Sequence, residues 1–478
     1  MRRIRQRRWV FARVAATIGD QLSRPPTDEV VYLIGPAPLE GWRAWALGAL
    51  PDGWTIGEHY YEGATPVMRY AGPDGPVELH HAASWFTDHD GYTVAEATDA
   101  FRLLAAALVR EHRGRALFPG AVLLATPAST GRDLWLRKIE PGRQWPVLAR
   151  DVAELVRESS GQARIEMVSH PHDTIPALFE YDGRLMYAAL AAWGLPGGAP
   201  TLEAGDRHVY EPYAAARYLV NVKVPRDWSH PFGLLGVKDT NGATWRYPHD
   251  PGEEFTTWVD GAELHLAGRC GWSPLIAEAL VWPRYTGKGP LASWANALIG
   301  LREQLAEPSR VHQLARAAVR NLVLHTIGSL HTSSHTVTRF APTLQEVPPA
   351  FLRVARPEAG QYAYPVELPA RWAQMQHPEL SAAIWGRVRA RLMAGPGRTG
   401  ALHATGATGA TTGSHRNELG SSVVLAFRTD AIYTTHPQNW PDDGAAGRFR
   451  LKVHHRGPFP TPRTHADLIH LRRHGGSP

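Results

Sequence analysis

The sequence predicts a mixed α/β protein of several domains, on three observations. The chain has 478 residues, more than one ordinary hydrophobic core serves. Hydrophobic residues make up 44% and charged residues 20%, a balance that folds rather than staying disordered. Strand-like apolar runs alternate with helix-period segments over the first third, then give way to a β-rich stretch and two long helical patterns.

Residues 1–165 run "EVVYLIG", "GWRAWALGAL", "VMRYAG", the helical "TVAEATDAFRLLAAALVREH" and "AVLLAT", the alternation of an α/β domain. A fresh pattern starts at "ARIEMV", and "PALFEYDGRLMYAALAAWGL" passes from strand to helix with Asp182 at the junction. A β-rich stretch follows, in which Asn241-Gly242 is a strong hairpin signal. Next come "LASWANALIGLREQLAE" and "RVHQLARAAVRNLVLHTIGSL", broken at Pro308-Ser309 and read as a helical hairpin. A later helix, "HPELSAAIWGRVRARLMAG", stops at Gly395-Pro396-Gly397. The Gly/Ala/Thr-rich "TGALHATGATGATTGSH" reads as a linker to a last hairpin, "SSVVLAFRTDAIYTT".

The net charge of +6, with basic ends "MRRIRQRRW" and "HLRRHGGSP", suits an anionic partner. A single cysteine, Cys270, excludes an internal disulfide and, as an expectation, fits a reducing, cytoplasmic setting. Arg13 and Asp20 interrupt the apolar start, against a signal peptide, and no window has the ~20 apolar residues of a membrane span. The histidine groups "SHPHD" and "HTSSH" lack a third metal ligand, and no phosphate-binding Gly-Lys-Thr loop or dinucleotide fingerprint occurs.

Asp182 and Asp430 each stand at the end of an apolar strand, where a carboxylate is held rigidly and can face a cleft. Phosphoryl transfer uses two such carboxylates to hold two Mg²⁺ ions about 3.5–4 Å apart, and hard oxygen ligands suit that ion. Read singly, either Asp is a turn residue. Arg316 and Arg320 lie at i and i+4 on one helix face and Arg302 near the end of the preceding helix, the cations that a triphosphate would need or else a solvated face.

In these places the chain resembles the family B DNA polymerases, the compact phage and plasmid type in particular. "DGRLMYA" at 182–188 is similar to the family's first palm motif, an Asp, two residues, then Ser-Leu-Tyr-Pro. The resemblance makes Asp182 the first metal ligand and Tyr187 the residue under the incoming sugar. "RNLVLHTIG" at 320–328 keeps the spacing of the fingers motif, with Arg320 for its Lys and Leu324 and Ile327 in place of Asn and Tyr. "FRTDAIY" resembles the third motif, Tyr-x-Asp-Thr-Asp-Ser, with Arg428 at the first Asp and Asp430 at the second, the one used most directly on the metals. "GRFRLKVHH" resembles the segment that brings a Lys to the primer-template, which points to Arg450 and Lys452 as phosphate contacts, and Arg428 joins them or pairs with Asp430.

The resemblance spans residues 175–455 and implies a right-hand polymerase: an exonuclease-like α/β domain over 1–165, palm over 166–285 and 341–455, helical fingers over 286–340, and a short basic tail or vestigial thumb over 456–478. The first domain lacks the family's Asp-x-Glu on its first strand, and Asp88 and Asp90 have no partners at a recognisable spacing, so it is expected to be inactive. The implied function is template-directed DNA synthesis on two Mg²⁺, or Mn²⁺ in their place. The implied partners are primer-template DNA, dNTPs and other replication proteins, with no membrane. The alternative is a polymerase-like protein that binds nucleic acid without catalysis.

Overall fold

The computed structural model describes residues 8–13, 30–34, 54–56, 68–72, 75–86, 91–112, 115–139, 145–161, 163–212, 214–239, 244–283, 289–331, 336–341, 343–347, 362–367, 376–395, 399–404 and 423–475. Asp88, Asp90, the Asn241-Gly242 turn, most of "HTSSH" and most of the Gly/Ala/Thr-rich linker lie outside them. The chain divides into two compact units. One comprises 1–144 and 297–376, the other 145–296 and 377–478.

Residues 1–144 build a five-stranded sheet from β1 (Trp9–Arg13), β2 (Val30–Ile34), β3 (Trp54–Ile56), β4 (Met68–Gly72) and β5 (Gly75–His81), in the order β1-β2-β5-β4-β3. β1, β2 and β5 pair in parallel, and β4 pairs antiparallel with both β5 and β3. Helix α1 (Val94–Val109) begins where Thr93 and Glu96 cap each other's backbone N–H groups. Phe101 on α1 meets Trp9, Phe11, Tyr32 and Trp85 edge-on, an aromatic core between helix and sheet. A short ribbon, β6 (Glu111–His112) and β7 (Arg115–Ala116), leads to α2 (Pro127–Leu136), capped by Thr126.

Residues 145–296 begin the second unit with α3 (Arg150–Ser159), β8 (Ile165–Met167), β9 (Thr174–Gly183) and α4 (Met186–Ala191). Then come β10 (Thr201–Ala204), β11 (Ala216–Lys223), the small pair β12 (Val237–Lys238) and β13 (Trp245–Arg246), β14 (Glu254–Asp260), α5 (Gly261–Arg269) and β15 (Leu275–Val281). Four of these strands form an antiparallel sheet in the order β10-β15-β11-β14.

Helix α6 (Ala292–Gln304) crosses the division, and α7 (Arg310–His331) belongs to the first unit with β16 (Thr336–Ala341) and β17 (Tyr362–Glu367). α7 packs chiefly on α2 and α1 rather than on the helix before it. The physical reason is the small-residue contact at Gly131, where any Cβ would overlap Thr326 and touch the Leu322 carbonyl. Asn321 strengthens this attachment by donating to the Trp85 carbonyl at 3.0 Å.

The second unit closes with α8 (Pro378–Met393), β18 (Val424–Arg428), β19 (Ala431–Thr434), β20 (Phe449–Pro460) and α9 (His465–His474). Its main sheet is antiparallel, in the order β20-β9-β19-β18-β8. One end of α8 is locked in place: Arg389 grips Glu263 at 2.7 and 2.8 Å, and Gly386 admits Asp260 where a side chain would collide. Next to them, Arg387 donates to the carbonyls of Leu190 in the last turn of α4 and of Trp193 and Gly194 just beyond it. Burial pushes the Asp260 carboxyl up to about 6, with Glu263 adding to burial and Arg387, the Ala262 N–H and Arg217 opposing it. Burial pulls the Arg389 guanidinium down, and its pair with Glu263 more than offsets this.

Candidate active site

The middle of the main sheet sets the backbones of the two predicted aspartates on neighbouring strands. Asp182 is the penultimate residue of β9, and its register partner on β19 is Ala431, the residue after Asp430. The Gly183 N–H donates to the Asp430 carbonyl at 2.9 Å, which fixes the two chain ends side by side. Gly183 is required here, since a Cβ would lie 2.8 Å from the Met186 side chain and 3.2 Å from that carbonyl.

Asp430 sits in a two-residue turn between β18 and β19, flanked by the Arg428–Ala431 pair. Thr429 takes the left-handed conformation, φ 59°, donates its hydroxyl to Asp430 Oδ1 at 3.0 Å and gives its N–H to the Arg164 carbonyl at 2.8 Å. Arg164 is fully buried beneath the turn, stacked over Tyr247 and Phe427, 3.8 and 4.4 Å from the ring centres, and bonded to Glu166 and the Gly233 carbonyl. Both aspartates are buried, 5% and 3% exposed, so the sheet orients them instead of leaving them to solvent.

The other neighbour of β9 is β20, which supplies cations. Arg450 pairs with Asp182 in register, and its Nη2 lies 3.4 Å from Asp182 Oδ2. The register shifts between Leu451 and Val453, so Lys452 occupies a bulge, and its Nζ stands between Asp182 Oδ2 (3.6 Å) and Glu180 Oε1 (3.5 Å). The buried Arg450 Nε has no hydrogen-bond partner among the described residues. Glu180, two residues before Asp182 and so on the same face, is held by Arg472 of α9, Nε to Oε2 at 2.5 Å and Nη2 to Oε1 at 3.3 Å.

Tyr433 faces Glu180 across β9 and β19, and the positive charges of Arg428 and Arg472 act on its phenol. Burial, then the Glu180 charge, push its phenol up to about 12 against both arginines, so it keeps its proton across the physiological range. Arg428 thus meets a neutral hydroxyl on the next strand, in the position where the resemblance expected an auxiliary acid.

Tyr187 is buried on α4, three residues beyond Arg184. Arg302, Arg316 and Arg320 lie on α6 and α7, all within the first unit, whereas Asp182, Asp430, Tyr187, Arg428, Arg450 and Lys452 belong to the second. The sequence reading missed Glu180, Tyr433, Arg472 and Arg164. The strand period of two was the available signal for Glu180, since "FEYD" puts its Glu on the face of Asp182. Nothing local marked Arg472 inside "HLRRHGG".

Two carboxylates of adjacent chain ends, oxygen donors only, fit hard divalent cations. No group of three or more His, Cys, Asp or Glu side chains arranged for a metal occurs among the described residues. A divalent ion would therefore draw its remaining ligands from substrate and water, as Mg²⁺ commonly does.

Neither a protein-family model nor a curated protein sequence matches the chain. Solved structures do. Phi29 DNA polymerase complexed with primer-template DNA and incoming nucleotide superimposes with a TM-score of 0.55 at 11% identity, over 92% of this chain and 79% of that one. Its complex with single-stranded DNA gives 0.55 at 12% identity, and its post-translocation binary complex with primer-template DNA gives 0.57 at 11%, each over 92% of this chain and 78% of that one. At such identity the likeness speaks for the fold, and the sequence resemblance agrees with it: the chain has the fold of phi29 DNA polymerase, a family B enzyme of phage.

Proposed function

We propose that the protein is a template-directed DNA polymerase that joins a dNTP to a primer 3′-hydroxyl. The observation that carries the reading is the pairing of β9 with the β18–β19 hairpin, which sets Asp182 and Asp430 at adjacent chain ends with Arg450 and Lys452 beside them. Two Mg²⁺ ions, or Mn²⁺, held by Asp182 and Asp430 would supply activation of the attacking hydroxyl and relief of charge on the departing pyrophosphate.

The chain's own groups do the rest. Both carboxylates are buried, Asp430 taking a hydrogen bond from Thr429 and Asp182 one from Arg450, so little reorganisation is needed when substrate arrives. Arg450 and Lys452 on β20 attract primer-template phosphates, and Arg428, on β18 of the same sheet, joins them. Tyr187 supports the incoming sugar, and Arg302, Arg316 and Arg320 bind the triphosphate. Other replication proteins and a cytoplasmic setting complete the proposal. No described helix is long and apolar enough to cross a membrane.

Primer extension on a gapped template with Mg²⁺ or Mn²⁺ tests the reading. A folded protein that binds DNA yet incorporates nothing refutes it and leaves a nucleic-acid-binding module. That second reading has its own observation: Arg450 and Lys452 already lie against Asp182, and Arg428 stands in place of a third acid, so the charge around the carboxylates is nearly balanced.

A further inference from the structure

The last helix of the chain reaches the centre of the candidate site through one side chain. α9 starts with a capping box between Thr464 and Asp467 and ends at Gly475 in the left-handed conformation, so its ends are defined. Leu468 and Leu471 are buried in the same apolar cluster as Ala426, Ala431 and Tyr433 of the Asp430 hairpin. Docked there, α9 directs Arg472 onto Glu180 with two hydrogen bonds, and the Arg472 carbonyl is bonded to His455 of β20 at 2.9 Å.

Glu180 is the least explained charge in the sheet. It is almost completely buried, shares a strand face with Asp182, and has two cations on it, Arg472 and Lys452. Lys452 is in turn divided between Glu180 and Asp182, 3.5 and 3.6 Å away. A lysine between two carboxylates is drawn to whichever carries more unneutralised charge. The fork of Arg472 matches both oxygens of Glu180, so it neutralises that carboxylate where a point charge could not.

We propose that Arg472 is a positioning residue of the polymerase site: by neutralising Glu180 it releases Lys452 to serve Asp182 and the primer phosphate. The inference rests on the polymerase reading for its catalytic consequence. It makes α9, at the far end of the sequence from the first motif, a working part of the palm. Without Arg472, Glu180 holds Lys452 for itself, and Asp182 and the primer terminus lose their shared cation. The charge on Glu180 is the cause, so removing that charge should remove the need for Arg472.

The test uses the full chain and four variants, Arg472→Gln, Arg472→Lys, Glu180→Gln and the double variant R472Q/E180Q. Primer extension gives kcat and the dNTP KM, anisotropy gives primer-template affinity, and circular dichroism with thermal melting reports folding. The expected result is a fall in kcat of about 10-fold or more for R472Q with the dNTP KM little changed. R472K recovers part of it, and the double variant returns within about threefold of the parent, since no buried charge is left unpaired.

A folded R472Q with parental kcat and parental primer-template affinity overturns the proposal. So does a folded double variant no better than R472Q. If R472Q alone fails to fold, the double variant decides, and an inactive, folded double variant counts against the idea. A parent protein that incorporates nothing refutes the polymerase reading separately. Arg472 is then judged on primer-template affinity, which R472Q must weaken and E180Q must restore.

Discussion

The amide of Gly183 donates to the carbonyl of Asp430 across 2.9 Å, so the residue that follows the first carboxylate is fastened to the residue that bears the second. The separation of the two backbones is therefore set by a hydrogen bond of the sheet. Gly183→Ala should break this arrangement, because its Cβ meets Met186 and the same carbonyl. Urea denaturation should show a loss of about 1–3 kcal/mol, and primer extension should fall further than stability explains.

Asp430→Ala should abolish nucleotide incorporation while primer-template affinity stays within about twofold, since phosphates and not acids carry the binding term. Anisotropy and primer extension on the same preparation check it. Chelating divalent ions from the parent protein should reproduce the loss, and restoring Mg²⁺ should reverse it. Unchanged incorporation by the variant would show that Asp430 is only a turn residue.

Arg428→Asp should lower the Mg²⁺ concentration needed for half-maximal incorporation, because it exchanges a cation for an oxygen ligand beside Asp430. It also removes a positive charge that acts on the Tyr433 phenol, at a cost of about 1 kcal/mol in thermal stability. A Mg²⁺ titration of primer extension reads the first effect and a melt the second.

Asp260 gives a pH signature away from the site. Its carboxyl sits at about 6 in the folded chain, above the ordinary value of 3.8, so the folded state binds the proton more tightly than the unfolded state does. Its contribution is thus complete below about pH 4 and is lost as pH rises through 6, on the order of 3 kcal/mol. Asp260→Asn keeps an N-cap for α5 and should flatten this part of the curve between pH 4 and 7. Chemical denaturation across that range, parent against variant, measures it, and identical slopes would remove Asp260 as the cause.

Much of the sheet that bears Asp182 and Asp430 was legible because strand ends and turns are local. The apolar runs around "FRTDAIY" and "FEYDG" marked two strands, and these are the strands that pair. Lys452 was legible only by resemblance, since a bulge depends on the partner strand and leaves no mark of its own in "RFRLKVHH". Arg472 and Arg164 were not legible at all. Each owes its role to residues far away in sequence: Glu180 for Arg472, and Tyr247 and Phe427 for Arg164. The packing of α7 escaped for a similar reason, because the fit of Gly131 against Thr326 is a property of two surfaces.

The bulge at Lys452 has a second consequence. β20 is an outer strand of its sheet and runs for twelve residues, long enough to recruit a strand from another molecule. Its ladder is interrupted twice, at Leu451/Val453 and at Arg456/Phe459, and it carries Arg450, Lys452 and Arg456. Each interruption twists the free edge and spoils the even spacing that a visiting strand would need. Straightening β20 by deleting Lys452 would therefore do more than remove a cation from Asp182: it would leave the protein with a sticky border, prone to self-association at high concentration.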